Sequence, residues 1–120
     1  MDLSLGNTLS KSERLYCRKD ISELLARGKY GNLPGMRYCI RKETGAPQNR
    51  ILVSVPKKYF KRAVKRNLLK RRIRESFRLQ KSALPSGGGV DIMFIYNTKE
   101  VLSFSEIKSL VGQVLEIASK

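Results

Sequence analysis

The groups best placed to do chemistry in this chain are cations, and they are gathered in one stretch. Between Lys57 and Lys81 stand twelve basic residues, namely Lys57, Lys58, Lys61, Arg62, Lys65, Arg66, Lys70, Arg71, Arg72, Arg74, Arg78 and Lys81, and only Glu75 opposes them. The stretch holds +11 of a formal +15 on 120 residues, where an even spread would leave about three. The planar fork of arginine suits bidentate contact with phosphate oxygens. A solvated charged helix would normally interleave acids, so a lone acid among twelve cations points to a polyanion as partner.

Other chemistries lack their residues. There is no histidine, the commonest general base and metal ligand. The ten acids (Asp2, Glu13, Asp20, Glu23, Glu43, Glu75, Asp91, Glu100, Glu106 and Glu116) form no close pair in sequence, although a fold can gather distant ones. No nucleophile has a nearby base. Gly87, Gly88 and Gly89 have no phosphate-loop context and read as a flexible linker, 85–89. Cys17 and Cys39 are far apart without CxxC spacing, as in a cytoplasmic protein with reduced thiols. No apolar run reaches the roughly 18 residues of a membrane span, and Met1 to Ser10 has no signal-like apolar stretch. The expectation is a polypeptide that breaks no bond by itself and binds no metal stably.

The elements that must position the cations can be read from periodicity. A helix from about Asp20 to Arg27 places Ile21, Leu24 and Leu25 on one face, with Asp20 and Glu23 as its cap and Gly28 as its stop. A loop with Gly31, Pro34 and Gly35 follows. Met36 to Arg41 and Ile51 to Val55 read as strands around a turn, which suggests a hairpin. From about Lys61 to Ser82 no Pro or Gly interrupts a long helix. On it Asn67, Lys70, Arg71, Arg74 and Arg78 fall within an arc of roughly 100°, beside a flank of Leu69, Ile73 and Phe77. One flank can pack on a sheet while the other is presented to a partner. Val90 to Tyr96 reads as a buried central strand. Ser103 with Glu106 opens a capped helix whose stripe Ile107, Leu110, Val111, Val114, Leu115 and Ala118 faces the core. The length suits a single domain, 1–120, with 1–13 as a flexible N-terminus. The order is α-β-β-α-β-α, with room for one further short strand, and the fold class is α+β with helices over one face of a small sheet.

The run from Ser54 to Arg78, SVPKKYFKRAVKRNLLKRRIRESFR, resembles the signature of the protein subunit of bacterial ribonuclease P. Ala63, Val64, Arg66, Asn67, Lys70, Arg71, Arg74, Glu75 and the aromatic Phe77 match that family's basic helix. The remainder matches in layout, from Arg14-Leu15 to the capped last helix. Departures are Leu68, where the family has arginine, Arg72, where many members are apolar, and one extra residue between Lys58 and Ala63. Two phenylalanines of the family's first helix fall on Ile21 and Leu25.

The resemblance implies a small α/β sandwich with a left-handed βαβ crossover. It implies a holoenzyme that cleaves precursor tRNA to make the mature 5′ end, with an RNA subunit as catalyst and magnesium ions held mainly by RNA. On this reading Arg66, Asn67, Lys70, Arg71 and Arg74 contact the catalytic RNA, with Lys65 and Arg78 as weaker members and Lys57 and Lys58 near its backbone. Ile21, Leu25 and Tyr38 line the cleft for the 5′ leader, Tyr38 as a base-stacking platform. No obligate protein partner or membrane is implied. Two other classes stay open: a structural RNA-binding protein such as a ribosomal component, and a stand-alone nuclease with a fold-assembled site.

Overall fold

The computed structural model describes residues 11–85 and 87–120. A 3-10 turn, Lys11–Glu13, leads to α1 (Arg18–Arg27), β1 (Lys29–Leu33), β2 (Met36–Arg41), β3 (Arg50–Ser54), α2 (Ala63–Gln80), a second 3-10 turn (Lys81–Ala83), β4 (Asp91–Tyr96) and α3 (Phe104–Ala118). The four strands form one sheet in the order β1-β2-β4-β3, with β3 parallel to β4 and the other pairs antiparallel.

Alternation along the strands splits the side chains between two cores. Met36, Ile40, Ile51, Ile92, Phe94 and Tyr96 face α2 and α3 and pack on Leu69, Ile73, Phe77, Ile107, Val111, Val114 and Leu115. Cys39, Leu52 and Met93 face the other way, where Leu15 and Leu24 close a smaller cluster with Ile21 at its margin. Helices therefore cover both faces, not one: α1 lies opposite α2 and α3. All six residues of the α3 stripe are buried. Ser103 and Glu106 form the expected reciprocal cap, with Ser103 Oγ accepting from the Glu106 amide at 3.2 Å. Ser103→Ala should lower stability by about 1 kcal/mol, read as a shift of the urea midpoint at unchanged slope.

The hydrogen bonds fix the hand of the crossover from β3 through α2 to β4. Ile51 turns its side chain toward α2, and its carbonyl points away from β4 to accept from the Leu15 amide at 2.8 Å. Arg50, one residue earlier, sends its N–H the other way, to the Val90 carbonyl at 2.8 Å. For an L-residue seen side chain forward on a strand running up, the amide and carbonyl lie to the right. Seen from α2, β4 thus lies to the left of β3, and the crossover is left-handed, against the general rule.

Several sequence expectations change. Met36–Arg41 and Ile51–Ser54 do not form a hairpin, because β4 lies between them. The hairpin is β1–β2, turning at Pro34 and Gly35, in the segment read as a loop. Helix α1 begins two residues before Asp20; its N-cap is Cys17, without a side-chain cap. Asp20 instead meets Arg50, as described next. The long helix is Ala63–Gln80 rather than Lys61 to Ser82, its end tightening into the second 3-10 turn. Of the expected flexible N-terminus, 1–10 lies outside the described residues, and Lys11–Glu13 is ordered as a turn. Ser86 of the expected linker also lies outside them. Gly89 accepts from the Thr44 amide at 3.0 Å, and a Cβ on Gly88 (φ 77°) would stand 2.4 Å from the Pro47 carbonyl oxygen. Gly88 therefore allows a close approach to the Pro47 backbone, while Gly87 has open space around it.

One ionic junction ties three elements together. Arg50 donates to both oxygens of Asp91, at 2.9 and 2.8 Å, and through its third nitrogen to Asp20 at 2.9 Å. Asp91 is 0% exposed. The hydrogen bond to Asp91 holds the Arg50 guanidinium above the usual arginine range, against the opposing effect of its burial. The junction ties the first turn of α1 to β3 and β4.

Candidate nucleic-acid interface

Helix α2 buries Leu69, Ile73, Ser76 and Phe77, and Asn67, Lys70, Arg71, Arg74 and Arg78 share the flank beside them, as the 100° spacing requires. The fold then sorts the cations into two groups. Some are internal anchors. Arg66 donates to the carbonyls of Phe60 and Lys61 at 2.7 and 2.8 Å, tying the helix start to the preceding loop. Arg72 donates to the Leu102 carbonyl at 2.6 Å, and the Leu102 amide donates to the Tyr96 hydroxyl at 2.9 Å. The charge at this unusual position therefore holds the β4–α3 loop. Arg78 pairs with Glu75, which pulls the Glu75 carboxyl below its usual range. Lys81 meets Glu13 at 2.8 Å, and the Lys58 ammonium stands 5.1 Å from the centre of the Tyr59 ring.

The second group has no carboxylate or carbonyl partner among the described residues. It comprises Lys65, Lys70, Arg71 and Arg74 on the helix, with Lys57, Lys61 and Arg62 exposed before it. Lys65 projects from the start of the helix, about 120° around from Arg71, so it lies off the shared face. Leu68, at the departed position, is half-buried.

Arg74 is half-buried, and burial first, then repulsion from Arg14, holds its guanidinium below the usual arginine range. Arg14 thus stands near enough to Arg74 for the two guanidinium groups to repel one another. Arg14 was not singled out from the sequence as a binding residue. It reaches this place because residues 14 and 15 run beside β3 as a parallel extension of the sheet. Only the Arg14-Leu15 pair hinted at it, and its nearness to Arg74 is a product of the fold.

On the other face of the sheet, Ile21 on α1 packs with Leu52 and Met93 at the margin of the smaller core, and Leu25 on the same helix is exposed. The three packed residues form a partly exposed apolar patch between α1 and the sheet. Tyr38 does not join it. Strand alternation turns Tyr38 with Met36 and Ile40 toward the α2/α3 side, where it packs on the larger core. The tyrosine on the α1 side is Tyr30, paired in register with Cys39; its hydroxyl donates to the Leu25 carbonyl at 3.1 Å, and the Arg37 guanidinium lies 5.1 Å from its ring centre. Among the described residues, no group of three or more His, Cys, Asp and Glu is placed to hold a metal ion. No helix among them is long and apolar enough to cross a membrane.

A mixed sheet between helices, with one helix carrying arginines and lysines that lack internal partners among the described residues, defines a protein of the α+β class with a cationic face. Comparison with known proteins makes this particular. The Ribonuclease P family model matches residues 9–119, and the chain belongs to that family. The ribonuclease P protein component of Porphyromonas gingivalis is 47% identical over 78 residues, 63% of this chain and 57% of that relative, so the match spans little more than half the relative's length. That of Petrotoga mobilis is 34% identical over 118 residues, covering 96% of each chain. The solved RNase P protein of Thermotoga maritima superposes with a TM-score of 0.74 at 29% identity, covering 88% of this chain and 96% of its own. A Staphylococcus aureus RNase P protein mutant, described as defective in mRNA degradation activity, reaches 0.81 at 25% identity, with 98% of each chain covered.

Proposed function

We propose that this chain is the protein subunit of a ribonuclease P holoenzyme, binding a catalytic RNA and the 5′ leader of precursor tRNA during cleavage to the mature 5′ end. The observation that carries this reading is the α2 face, on which Lys70, Arg71 and Arg74 lack internal partners while neighbouring cations are tied down. Asn67 adds a hydrogen-bonding amide to that face, Arg14 extends it, and Lys57, Lys58 and Lys65 extend it toward the β3–α2 junction. Arg66 and Arg78 act there mainly by bracing the helix. Ile21 and Leu25 give the leader an apolar wall.

Chemistry belongs to the RNA, with magnesium held by RNA phosphates, which suits a protein surface offering cations rather than clustered carboxylates. The protein's part is to neutralise phosphate repulsion, so that substrate and catalyst associate at lower magnesium. Its place is the cytoplasm, where its free thiols stay reduced.

Reconstitution tests this. Mixed with a bacterial ribonuclease P RNA and precursor tRNA at low magnesium, the protein should speed cleavage and lower the magnesium requirement. No improvement would defeat the reading, and cleavage by the protein without RNA would move the chemistry onto the polypeptide.

A further inference from the structure

A groove of ≈ 800 Å³ lies at the end of the sheet where α1 and α3 both finish. Five cations line it (Arg27, Lys29, Arg41, Lys42 and Lys120) against one acid, Glu43. Arg27 pairs with Glu23 at 2.9 Å, and Lys42 donates to the Lys120 carbonyl. Lys29 and Arg41 have no carboxylate partner among the described residues. The groove is not part of the α2 face. Three strand spacings, about 14 Å, separate β1 from β3, and α3, packed on both α2 and β2, stands between.

Tyr38 lines this groove. Its ring lies over Gly31, its partner in the β1–β2 register, and a Cβ on Gly31 would stand 2.2 Å from the ring. Glycine at that position is what lets the ring extend across the edge strand. An aromatic ring among uncompensated cations suits single-stranded nucleic acid, which needs phosphate neutralisation and a stacking surface together. The groove also shares helix α1 with the apolar residues on the other face. Ile21 and Leu25 stand on α1, and the same helix ends at Arg27 in the groove wall, about 9 Å further along its axis.

We propose that this groove holds the 5′-distal part of the precursor tRNA leader, through phosphate contacts from Lys29 and Arg41 and a base stacked on Tyr38. This rests on the functional reading above. Tyr38 thereby serves single-stranded RNA on the opposite side of the sheet from Ile21 and Leu25.

The test uses the reconstituted holoenzyme and two precursors, one with a leader ending at the α1 patch and one with a leader long enough to reach the groove. Wild-type protein should bind the long-leader precursor more tightly. The double variant Lys29→Ala, Arg41→Ala should lose that advantage, about tenfold in Kd, and flatten the salt dependence of long-leader binding by about 1.4 in log–log slope. Cleavage of the short-leader precursor by the variant should stay unchanged, which also shows that the protein is folded. Lys29→Glu, at an exposed position, should act in the same direction. Equal binding of the long leader by wild type and variants would overturn the proposal, as would the absence of any long-leader advantage in wild type. Weakened binding of the catalytic RNA alone would give the groove to that RNA and overturn it too. Wild-type protein that fails to stimulate even short-leader cleavage would overturn the functional reading, and the proposal with it.

Discussion

Replacing Lys70, Arg71 and Arg74 together with alanine should weaken binding to ribonuclease P RNA on the order of a hundredfold near physiological salt. The log–log salt slope should flatten by about 2 to 3, since each neutralised phosphate contributes about 0.7 to 0.9. Arg71 is exposed and Lys70 and Arg74 are half-buried, and none of the three has an internal partner among the described residues. Their loss therefore removes phosphate contacts and leaves no buried group stranded. Stability should hold or rise slightly, because like charges at i, i+4, such as Lys70 and Arg74, repel in the free protein. Arg72→Met is the informative contrast. It breaks the bond to the Leu102 carbonyl, so it should cost stability and leave the salt slope close to wild type. Filter binding or calorimetry over a salt series measures both. An unchanged slope in a folded triple variant would show that the RNA sits elsewhere.

Arg50→Met should produce the largest loss of stability of any single substitution considered, about 3–5 kcal/mol. Asp91 is 0% exposed, and both of its oxygens accept from Arg50. Removing the arginine leaves a carboxylate buried without its partner, and that stranded charge dominates the cost. Asp20 is 34% exposed on its side chain, so water replaces most of what it loses. The double variant Arg50→Met, Asp91→Leu should recover much of the stability, since an apolar pair replaces the ionic one. Urea unfolding of the three proteins decides this. A single variant as stable as wild type would show that the junction matters little. The double variant should still bind the leader poorly even when stable, because Asp20 no longer fixes α1 and with it Ile21 and Leu25.

Much of this architecture was legible in the residues, and what was hidden has a common cause. Helix α3 could be read because its signals are local: a reciprocal cap at Ser103 and Glu106, then a stripe at helical spacing. The side of α2 that carries Asn67, Lys70, Arg71, Arg74 and Arg78 followed from the same arithmetic. Strand β1 was missed because Gly31, Asn32, Pro34 and Gly35 all favour loops. It is a strand because β2 offers it a ladder and because Gly31 makes room for Tyr38. The pairing of β3 was misread because its partner is β4, 41 residues on at the Arg50–Asp91 position, while the nearer strand seemed the natural neighbour. Which arginines are free was equally hidden, since the carbonyl that takes Arg72 lies 30 residues away. Local chemistry is written in local sequence, and long-range pairing is decided by burial across the whole chain.

The left-handed crossover has a consequence for how the protein meets its partner. Helix α2 lies on the crossover between β3 and β4, two adjacent strands of the sheet, and buries Leu69, Ile73 and Phe77 in the larger core. It cannot lift away, shift by a turn or melt without uncovering those side chains. An RNA that docks on α2, as proposed, would encounter a surface whose shape is set beforehand, and association would lose little protein entropy. The speed of capture is then governed by the field of the free cations and by the salt around them, in the manner of rigid bodies guided by charge rather than of a segment that folds as it binds.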